Sequence, residues 1–145
     1  LVFFKGCPMR CAYCHNPDTW SMEGGTEMTV DELLKEYETK KFFYKSGGIT
    51  ATGGEPMVQI DFLTELFTEA HKRGIHTCLD TSGVTFRPDD PANLMKVDKL
   101  LEVTDLVMLD IKHINPQEHL KLCKQPNDNF WLLQNILIRK VFRCG

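Results

Sequence analysis

The sequence has no apolar run approaching the roughly 20 residues that a membrane-spanning helix needs. Its opening Leu1-Val2-Phe3-Phe4 is too short for the apolar part of a signal peptide and has no cleavage site after it. A basic excess is also missing, because the 145 residues carry a net charge of −3. Neither nucleic acid nor a membrane is therefore indicated as a partner. With 42% hydrophobic and 26% charged residues, the composition is that of an ordinary globular domain.

Six cysteines are present, and they are unevenly distributed. Cys7, Cys11 and Cys14 form a CxxxCxxC group near the start, and no separate CxxC pair matches it. Thiolates are soft ligands that favour iron–sulfur clusters, zinc and Cu(I). A structural zinc ion and a fully ligated four-iron cluster each take four protein ligands. Three thiolates therefore predict a [4Fe-4S] cluster with one iron open to a substrate or cofactor.

Two other interpretations of the cysteines compete with this one. A structural zinc site would recruit His15 as fourth ligand, although adjacent Cys14 and His15 would chelate one ion awkwardly. A short cysteine-rich chain is also typical of secreted disulfide scaffolds. Because the other cysteines lie scattered in apolar or helical stretches, we favour reduced thiols in the cytoplasm. These cysteines are Cys78, Cys123 and Cys144.

Apolar and β-branched segments alternate with amphipathic segments along the chain. Strands are predicted at residues 1–4, 49–52, 75–79 and 105–110, and helices at about 30–44, 59–73, 91–102 and 116–123. Thr29 and Glu32 predict a capping box before the first helix, and Ser46-Gly47-Gly48 is predicted to end it. The alternation indicates an α/β fold of parallel βαβ units in an open, curved sheet. The first strand is expected to be buried, and the fourth to be covered on both faces.

The polar motifs of the chain each follow one of these strands. The cysteine loop follows the first, Gly53-Gly54-Glu55 the second, Asp80-Thr81-Ser82 the third and Asp110-Ile111-Lys112 the fourth. Ligands of parallel α/β folds bind at the carboxyl ends of the strands, so we expect a single active site there. The two glycines would let a ligand approach the backbone, and Glu55 would add an acceptor for a cation. For Asp80 and Thr81, an ordinary cap or turn is an equal alternative.

Four motifs in this order resemble the activating enzymes of pyruvate formate-lyase, which belong to the radical S-adenosylmethionine (SAM) superfamily. The likeness runs to about Asn129 and implies that residues 1–128 are part of an open (βα)6 partial TIM barrel. The motifs are Cys7-Pro8-Met9-Arg10-Cys11-Ala12-Tyr13-Cys14-His15-Asn16, Thr52-Gly53-Gly54-Glu55-Pro56, His76-Thr77-Cys78-Leu79-Asp80-Thr81-Ser82-Gly83 and Thr104-Asp105-Leu106-Val107-Met108-Leu109-Asp110-Ile111-Lys112.

The resemblance also implies a ligand set. It places a [4Fe-4S] cluster on Cys7, Cys11 and Cys14, with SAM on the open iron. A monovalent cation is implied as well, near Asp80, Thr81, Met108 and Asp110. Around SAM the resemblance places Tyr13, His15, Gly53, Gly54, Glu55, Asp110, Ile111 and Lys112.

The activity implied by the resemblance is reductive cleavage of SAM, followed by formation of a glycyl radical on pyruvate formate-lyase. A flavodoxin or a ferredoxin-type protein would supply the electron. One alternative is an activator of another glycyl-radical enzyme, although many of these carry extra CxxC pairs and no cysteine lies between Cys14 and Gly53. A non-catalytic zinc or iron–sulfur module, or an inactive fragment, is the other alternative.

Residues 129–145 form an atypical tail, in which neither strand alternation nor a clear helix stop is found. Back-translating the tail and shifting the frame by two bases gives a sequence like that of the family. We therefore predict a one-base slip in the coding sequence near codon 129, with genuine divergence as the alternative. Such a tail is expected to pack poorly, and Cys144 is expected to bind no metal.

Overall fold

Strands and helices alternate along the chain as the sequence predicts. The computed structural model describes residues 1–44 and 47–141. The strands are β1 (Val2–Phe4), β2 (Gly48–Gly53), β3 (His76–Thr81) and β4 (Leu106–Leu109). The α-helices are α1 (Val30–Lys40), α2 (Ile60–Lys72), α3 (Pro91–Glu102), α4 (Pro116–Cys123) and α5 (Asp128–Val141), with 3-10 turns at Pro17–Thr19, Lys41–Phe43 and Pro56–Gln59. No helix in the described part of the chain is long and apolar enough to cross a membrane.

The four strands form one parallel sheet in the order β1-β2-β3-β4. Each neighbouring pair is joined by a connection that contains an α-helix, so the described strands form three successive βαβ units. Parallel pairing places all four carboxyl ends at the same edge of the sheet. The predicted α/β class and the parallel sheet are confirmed.

The capping box of the first helix is confirmed. The Thr29 hydroxyl accepts from the Glu32 amide at 3.2 Å, and the Glu32 carboxylate accepts from the Thr29 amide at 2.7 Å. The α-helix ends at Lys40, earlier than predicted, and one 3-10 turn follows it. Ser46, which we predicted to help end the helix, lies outside the described residues.

The hydrophobic core lies on one face of the sheet. Strand side chains on this face pack against buried residues of α1, α2, α3 and α5, such as Leu34, Leu66, Leu100 and Leu133. The strands therefore show alternation, because every second side chain faces this helical layer. The strand residues on the core side include Phe4, Ile49, Ala51, Leu79, Val107 and Leu109.

The opposite face of the sheet is more polar and is partly open. Register places Phe3, Thr52, Asp80 and Met108 side by side across it. Phe3 is 54% exposed and Met108 is 44% exposed. The expectation that the first strand is buried and the fourth covered on both faces is therefore wrong, because the helices that build the core pack on one side only. Apolar content alone did not show which face lacked a partner.

The first part of the tail forms a helix that packs on the core. Phe130 and Leu133 of α5 are buried, and Ile136 and Leu137 pack against the same core. These residues have helical spacing, so they form an apolar stripe on one side of α5. The expectation of poor packing is wrong for the described residues up to 140. Cys144 lies outside the described residues, and the one-base slip stays a prediction.

Candidate functional site

The loops that follow the four strands begin next to one another. Phe4 pairs with Gly53 at the end of β1 and β2, and Thr81 pairs with Leu109 at the end of β3 and β4. The Asp110 amide donates to the Thr81 carbonyl at 2.9 Å, which continues this pairing into the fourth loop. The predicted motifs are therefore brought to one edge of the sheet.

Glu55 joins the ends of β2 and β3 inside the protein. Its side chain is buried, at 1% exposure. One carboxylate oxygen accepts from the Thr81 hydroxyl at 2.6 Å and the Met57 amide at 3.2 Å, and the other accepts from the Ser82 hydroxyl at 2.6 Å and the Ser82 amide at 3.0 Å. We expected this carboxylate to offer an acceptor to a bound cation. The structure instead gives both of its oxygens protein donors, and Thr81, expected near a cation, is one of them.

The two glycines before Glu55 allow a close approach of backbone to backbone. Gly53 has a φ of +100°, and a Cβ there would lie 2.8 Å from the Phe3 Cα. A Cβ on Gly54 would lie 2.5 Å from the Gly6 carbonyl oxygen. The space that we expected a ligand to use on this side is therefore filled by β1 and the start of the cysteine loop. The amide of Gly54 donates to the Phe4 carbonyl at 2.9 Å, which joins the two segments.

Cys7, Cys11 and Cys14 lie in a loop that folds back on itself. The Cys7 amide donates to the Trp20 carbonyl at 3.2 Å, and the Cys14 amide donates to the Cys11 carbonyl at 3.1 Å. Cys11 is buried, whereas Cys7 and Cys14 are half-buried and pack against the same small apolar cluster. The three predicted ligands therefore share one region, with two of them accessible to an entering group.

A second clamp on the cysteine loop was not foreseen from the sequence. The amide of Arg10 donates to the Cys123 carbonyl at 3.0 Å, and that of Ala12 donates to the Leu122 carbonyl at 2.9 Å. Both carbonyls belong to the last turn of α4, where helical carbonyls lack partners within the helix. Cys123 itself is fully buried beside Cys11. We had placed Cys123 among the scattered cysteines, and its spacing from the motif gives no sign of this contact.

The donor chemistry of the loop fits an iron–sulfur cluster. Within residues 1–44 and 47–141, no three His, Cys, Asp or Glu side chains are grouped closely enough to hold a single metal ion. A four-iron cluster on three thiolates makes a different demand, since each sulfur bonds a different iron. Burial raises the pKa of the Cys7 thiol, and the negative charge of Glu55 adds to this rise. Binding at Cys7 therefore has to displace a proton.

The first and fourth loops meet through Lys112. Its ammonium group forms an ion pair with Asp110 and lies 6.0 Å from the centre of the Tyr13 ring. Burial lowers the pKa of Lys112, but the hydrogen bond and charge of Asp110 outweigh it and the net pKa is raised. Lys112 is thus held as a cation beside the cysteine loop. For the neutral Tyr13 hydroxyl, burial has the opposite effect and raises the pKa.

The remaining predicted residues lie around this contact with few protein partners. The Asp80 carboxylate accepts from the Thr52 hydroxyl at 2.7 Å on the open face of the sheet. Ile111 is half-buried, and His15 is exposed. The site thus presents two acidic groups, one lysine and three thiols around the ends of β1, β3 and β4.

Comparison with known proteins decides the family. A protein-family model described as the radical SAM superfamily matches residues 1–140. The chain belongs to the radical SAM superfamily. A solved structure, described as a domain of the pyruvate-formate lyase-activating enzyme from Bacteroides vulgatus, aligns with a TM-score of 0.51 and 30% identity over 63% of this chain and 51% of that one. The radical SAM fold is therefore confirmed.

Several activating enzymes are similar to this radical SAM chain in sequence. The pyruvate formate-lyase-activating enzyme of Listeria monocytogenes is 47% identical over 129 residues, covering 88% of this chain and 52% of the relative. That of Streptococcus mutans is 53% identical over 122 residues, covering 82% and 46%. The pyruvate formate-lyase 1-activating enzyme of Escherichia coli is 51% identical over 124 residues, covering 84% and 48%. The chain spans about half the length of these curated relatives.

Proposed function

We propose that the chain is the cofactor-binding part of a radical SAM activase that generates a glycyl radical on pyruvate formate-lyase. The observation that supports it most is the meeting of the CxxxCxxC loop with Lys112 and Asp110 at the strand ends, in a chain about half identical to such activating enzymes. We propose both the reductive cleavage of SAM and the choice of pyruvate formate-lyase as partner.

Cys7, Cys11 and Cys14 would each hold one iron of a [4Fe-4S] cluster. When bound, such a cluster together with SAM would supply one-electron reductive chemistry directed at a glycine of the partner. The chain's own contribution is to shape the site. The buried side of the loop at Cys11 excludes water, and the half-buried Cys7 and Cys14 leave the other side accessible.

Asp110 and Lys112 would orient SAM. Its methionyl group carries an ammonium and a carboxylate, and this ion pair offers one charge of each sign next to Tyr13. The half-buried position of Lys112 strengthens such contacts, because water screens them less. Gly53, Gly54 and Glu55 would contribute indirectly, because they fix the spacing of β1, β2 and β3 from which the SAM-binding loops extend.

A monovalent cation near the ends of β3 and β4 is a finer part of the proposal. Asp80 lies opposite Met108 in the sheet, and Asp110 follows β4 directly. Two carboxylates on neighbouring strands attract a cation, although Lys112 already neutralises Asp110 and Thr81 already donates to Glu55. SAM cleavage would then be faster in potassium or sodium salts than in a bulky organic cation, and Asp80→Asn would remove that difference.

The electron would come from a flavodoxin or a ferredoxin-type protein, and the cytoplasm would keep the thiols reduced. The decisive experiment is anaerobic reconstitution of the chain, with iron, sulfide and the visible spectrum measured. We expect four irons and four sulfides per chain, and 5′-deoxyadenosine on addition of SAM and a strong reductant. Electron paramagnetic resonance with pyruvate formate-lyase present measures the glycyl radical, which we expect this chain to form poorly, because one face of its sheet is open to solvent. A stable zinc site with no sulfide would overturn the proposal.

A further inference from the structure

The last turn of α4 is built against the cysteine loop. The helix ends at Cys123 because Lys124 adopts the left-handed conformation, with a φ of +61°. This change of direction lets Gln125 reach the loop, where its side-chain amide donates to the Pro8 carbonyl at 3.1 Å. The end of α4 is thus held beside the thiols by a side-chain contact as well as by the backbone.

Two backbone hydrogen bonds set the position of Cys11 relative to Cys123. The amides on either side of Cys11, those of Arg10 and Ala12, donate to the carbonyls of Cys123 and Leu122. Cys11 is therefore held between two fixed points on the helix end. Its backbone is held on both sides by contacts that its own side chain does not make.

The Cys123 thiol lies in this same place without contact with water. It is 0% exposed and packs in one buried cluster with Met9, Cys11 and Val84, next to the backbone bonds that join the two segments. A thiol carries one weak S–H donor, and a thiolate sulfur is a better acceptor than a thioether or an apolar group. Cys11 as a cluster ligand would be such an acceptor.

We propose that Cys123 is a positioning residue whose S–H group donates to the sulfur of Cys11 and raises the reduction potential of the cluster bound there. This inference rests on the proposed function, because it requires a cluster on Cys11. The physical reason is that one-electron reduction adds negative charge to the cluster. A hydrogen bond to a ligand sulfur stabilises the more negative state, and such bonds tune iron–sulfur potentials.

The test is a redox titration of the reconstituted cluster in four variants. Cys123→Ala removes the donor and leaves a small cavity, Cys123→Val removes it with a slightly larger side chain, and Cys123→Ser keeps a donor. Cys78→Ala is the matched control, because Cys78 is also buried but lies in β3 outside the cluster of Cys11.

We expect the ratio of reduced to oxidised cluster at a fixed potential to fall about three- to tenfold in the Ala and Val variants, and tenfold corresponds to about 59 mV for one electron. Cys123→Ser should restore the ratio, and Cys78→Ala should leave it unchanged. Equal ratios in wild type, Cys123→Ala and Cys123→Val would overturn the inference while leaving the proposed function intact. An equal fall in Cys78→Ala would also overturn it, since loosened packing would then be the cause. Failure of the wild-type chain to assemble a four-iron cluster would instead overturn the proposed function, and this inference with it.

Discussion

The ends of β2 and β3 differ from the cysteine loop in how they are held, although both lie at the same edge of the sheet. At the strand ends, a buried carboxylate, Glu55, takes four hydrogen bonds from neighbouring residues. In the cysteine loop, backbone groups make the holding contacts, with Trp20 on one side and the end of α4 on the other. The side chains of Cys7, Cys11 and Cys14 are left as free thiols.

Side-chain contacts at Glu55 and backbone contacts in the cysteine loop should therefore affect different properties, stability in the first case and ligand binding in the second. At the ends of β2 and β3 the Glu55 carboxylate already has four protein donors, so a substitution of Glu55 should cost stability. In the loop the backbone sets the shape, so a sulfur can be removed while the shape remains. Under the proposed function, the three thiols would hold the cofactor, and the saturated Glu55 carboxylate would belong to the frame behind it.

The largest effect is expected in the loop, and it concerns the cluster rather than the fold. Cys11→Ala should abolish assembly of a stable [4Fe-4S] cluster, because two thiolates remain for it. Its circular dichroism spectrum should stay that of the wild type, since the loop amides keep their acceptors. Iron and sulfide analysis after anaerobic reconstitution measures the loss. Cys78→Ala should assemble a full cluster, and the ligand assignment is wrong if Cys78→Ala loses it and Cys11→Ala keeps it.

The next effect should appear at the strand ends, and it concerns the fold. Glu55→Ala removes the acceptor of the Thr81 and Ser82 hydroxyls and of two amides, and it leaves the Thr81 hydroxyl only the weak acceptor Met57 Sδ at 3.4 Å. We expect the free energy of unfolding to fall by about 3–5 kcal/mol. Chemical denaturation measures it, and Glu65→Ala, an exposed position on α2, should stay within about 0.5 kcal/mol. Equal stability of the two variants would show that Glu55 is not part of the frame.

The sequence predicted the elements well because their signals are local. The capping box at Thr29 and the proline at the start of α3 and α4 act within one turn, and these helix starts were found as predicted. The sequence also predicted that the motifs meet at one edge of the sheet, because parallel pairing places the carboxyl ends of all strands there. The exposure of Phe3 and Met108 was missed, because burial of a strand face depends on a second layer that no local pattern reports.

The contacts inside the site were harder to predict than its location. Gly53 and Gly54 indicated a close approach, but the sequence could not show that Gly6 and β1 make it. Cys123 was missed because its contact with Cys11 joins segments far apart in the chain. The packing of α5 was missed for a different reason. Phe130 and Leu133 already have helical spacing in the sequence, and both are buried. The lack of a clear helix-ending residue led us to expect poor packing instead.

A smaller effect tests whether backbone approach explains the glycine pair. A Cβ on Gly54 would lie 2.5 Å from the Gly6 carbonyl oxygen, so Gly54→Ala has to push the cysteine loop away from β2. We expect a loss of about 1–3 kcal/mol in unfolding free energy. Gly47→Ala is the control, since among the described residues a Cβ there would meet only Tyr44 Cβ, at 3.8 Å. If Gly54→Ala were as stable as Gly47→Ala, close backbone packing would not explain the glycine pair. The original expectation, that the glycines let a ligand approach the backbone, would then stand.

The smallest effect is a pH dependence that distinguishes two opposing influences on Glu55. Burial raises the pKa of this carboxyl group, the hydrogen bonds from Ser82 and Thr81 lower it, and the net pKa is raised. The folded state therefore holds a proton at pH values where the unfolded state has released it. Glu55 contributes most to stability below the ordinary glutamate pKa, and this contribution falls as the pH rises through the raised pKa.

Glu55→Gln isolates this contribution, because it removes the ionisation while keeping the shape of the side chain. We expect the unfolding free energy of wild type minus that of Glu55→Gln to decrease as the pH rises from the ordinary glutamate pKa towards neutrality, by about 1.4 kcal/mol for each unit by which the pKa is raised. Subtraction cancels the opposite slopes of carboxylates with lowered pKa values, such as Asp105 and Glu32. A difference that grows with pH would mean that the four donors keep Glu55 ionised, and that its hydrogen bonds outweigh its burial.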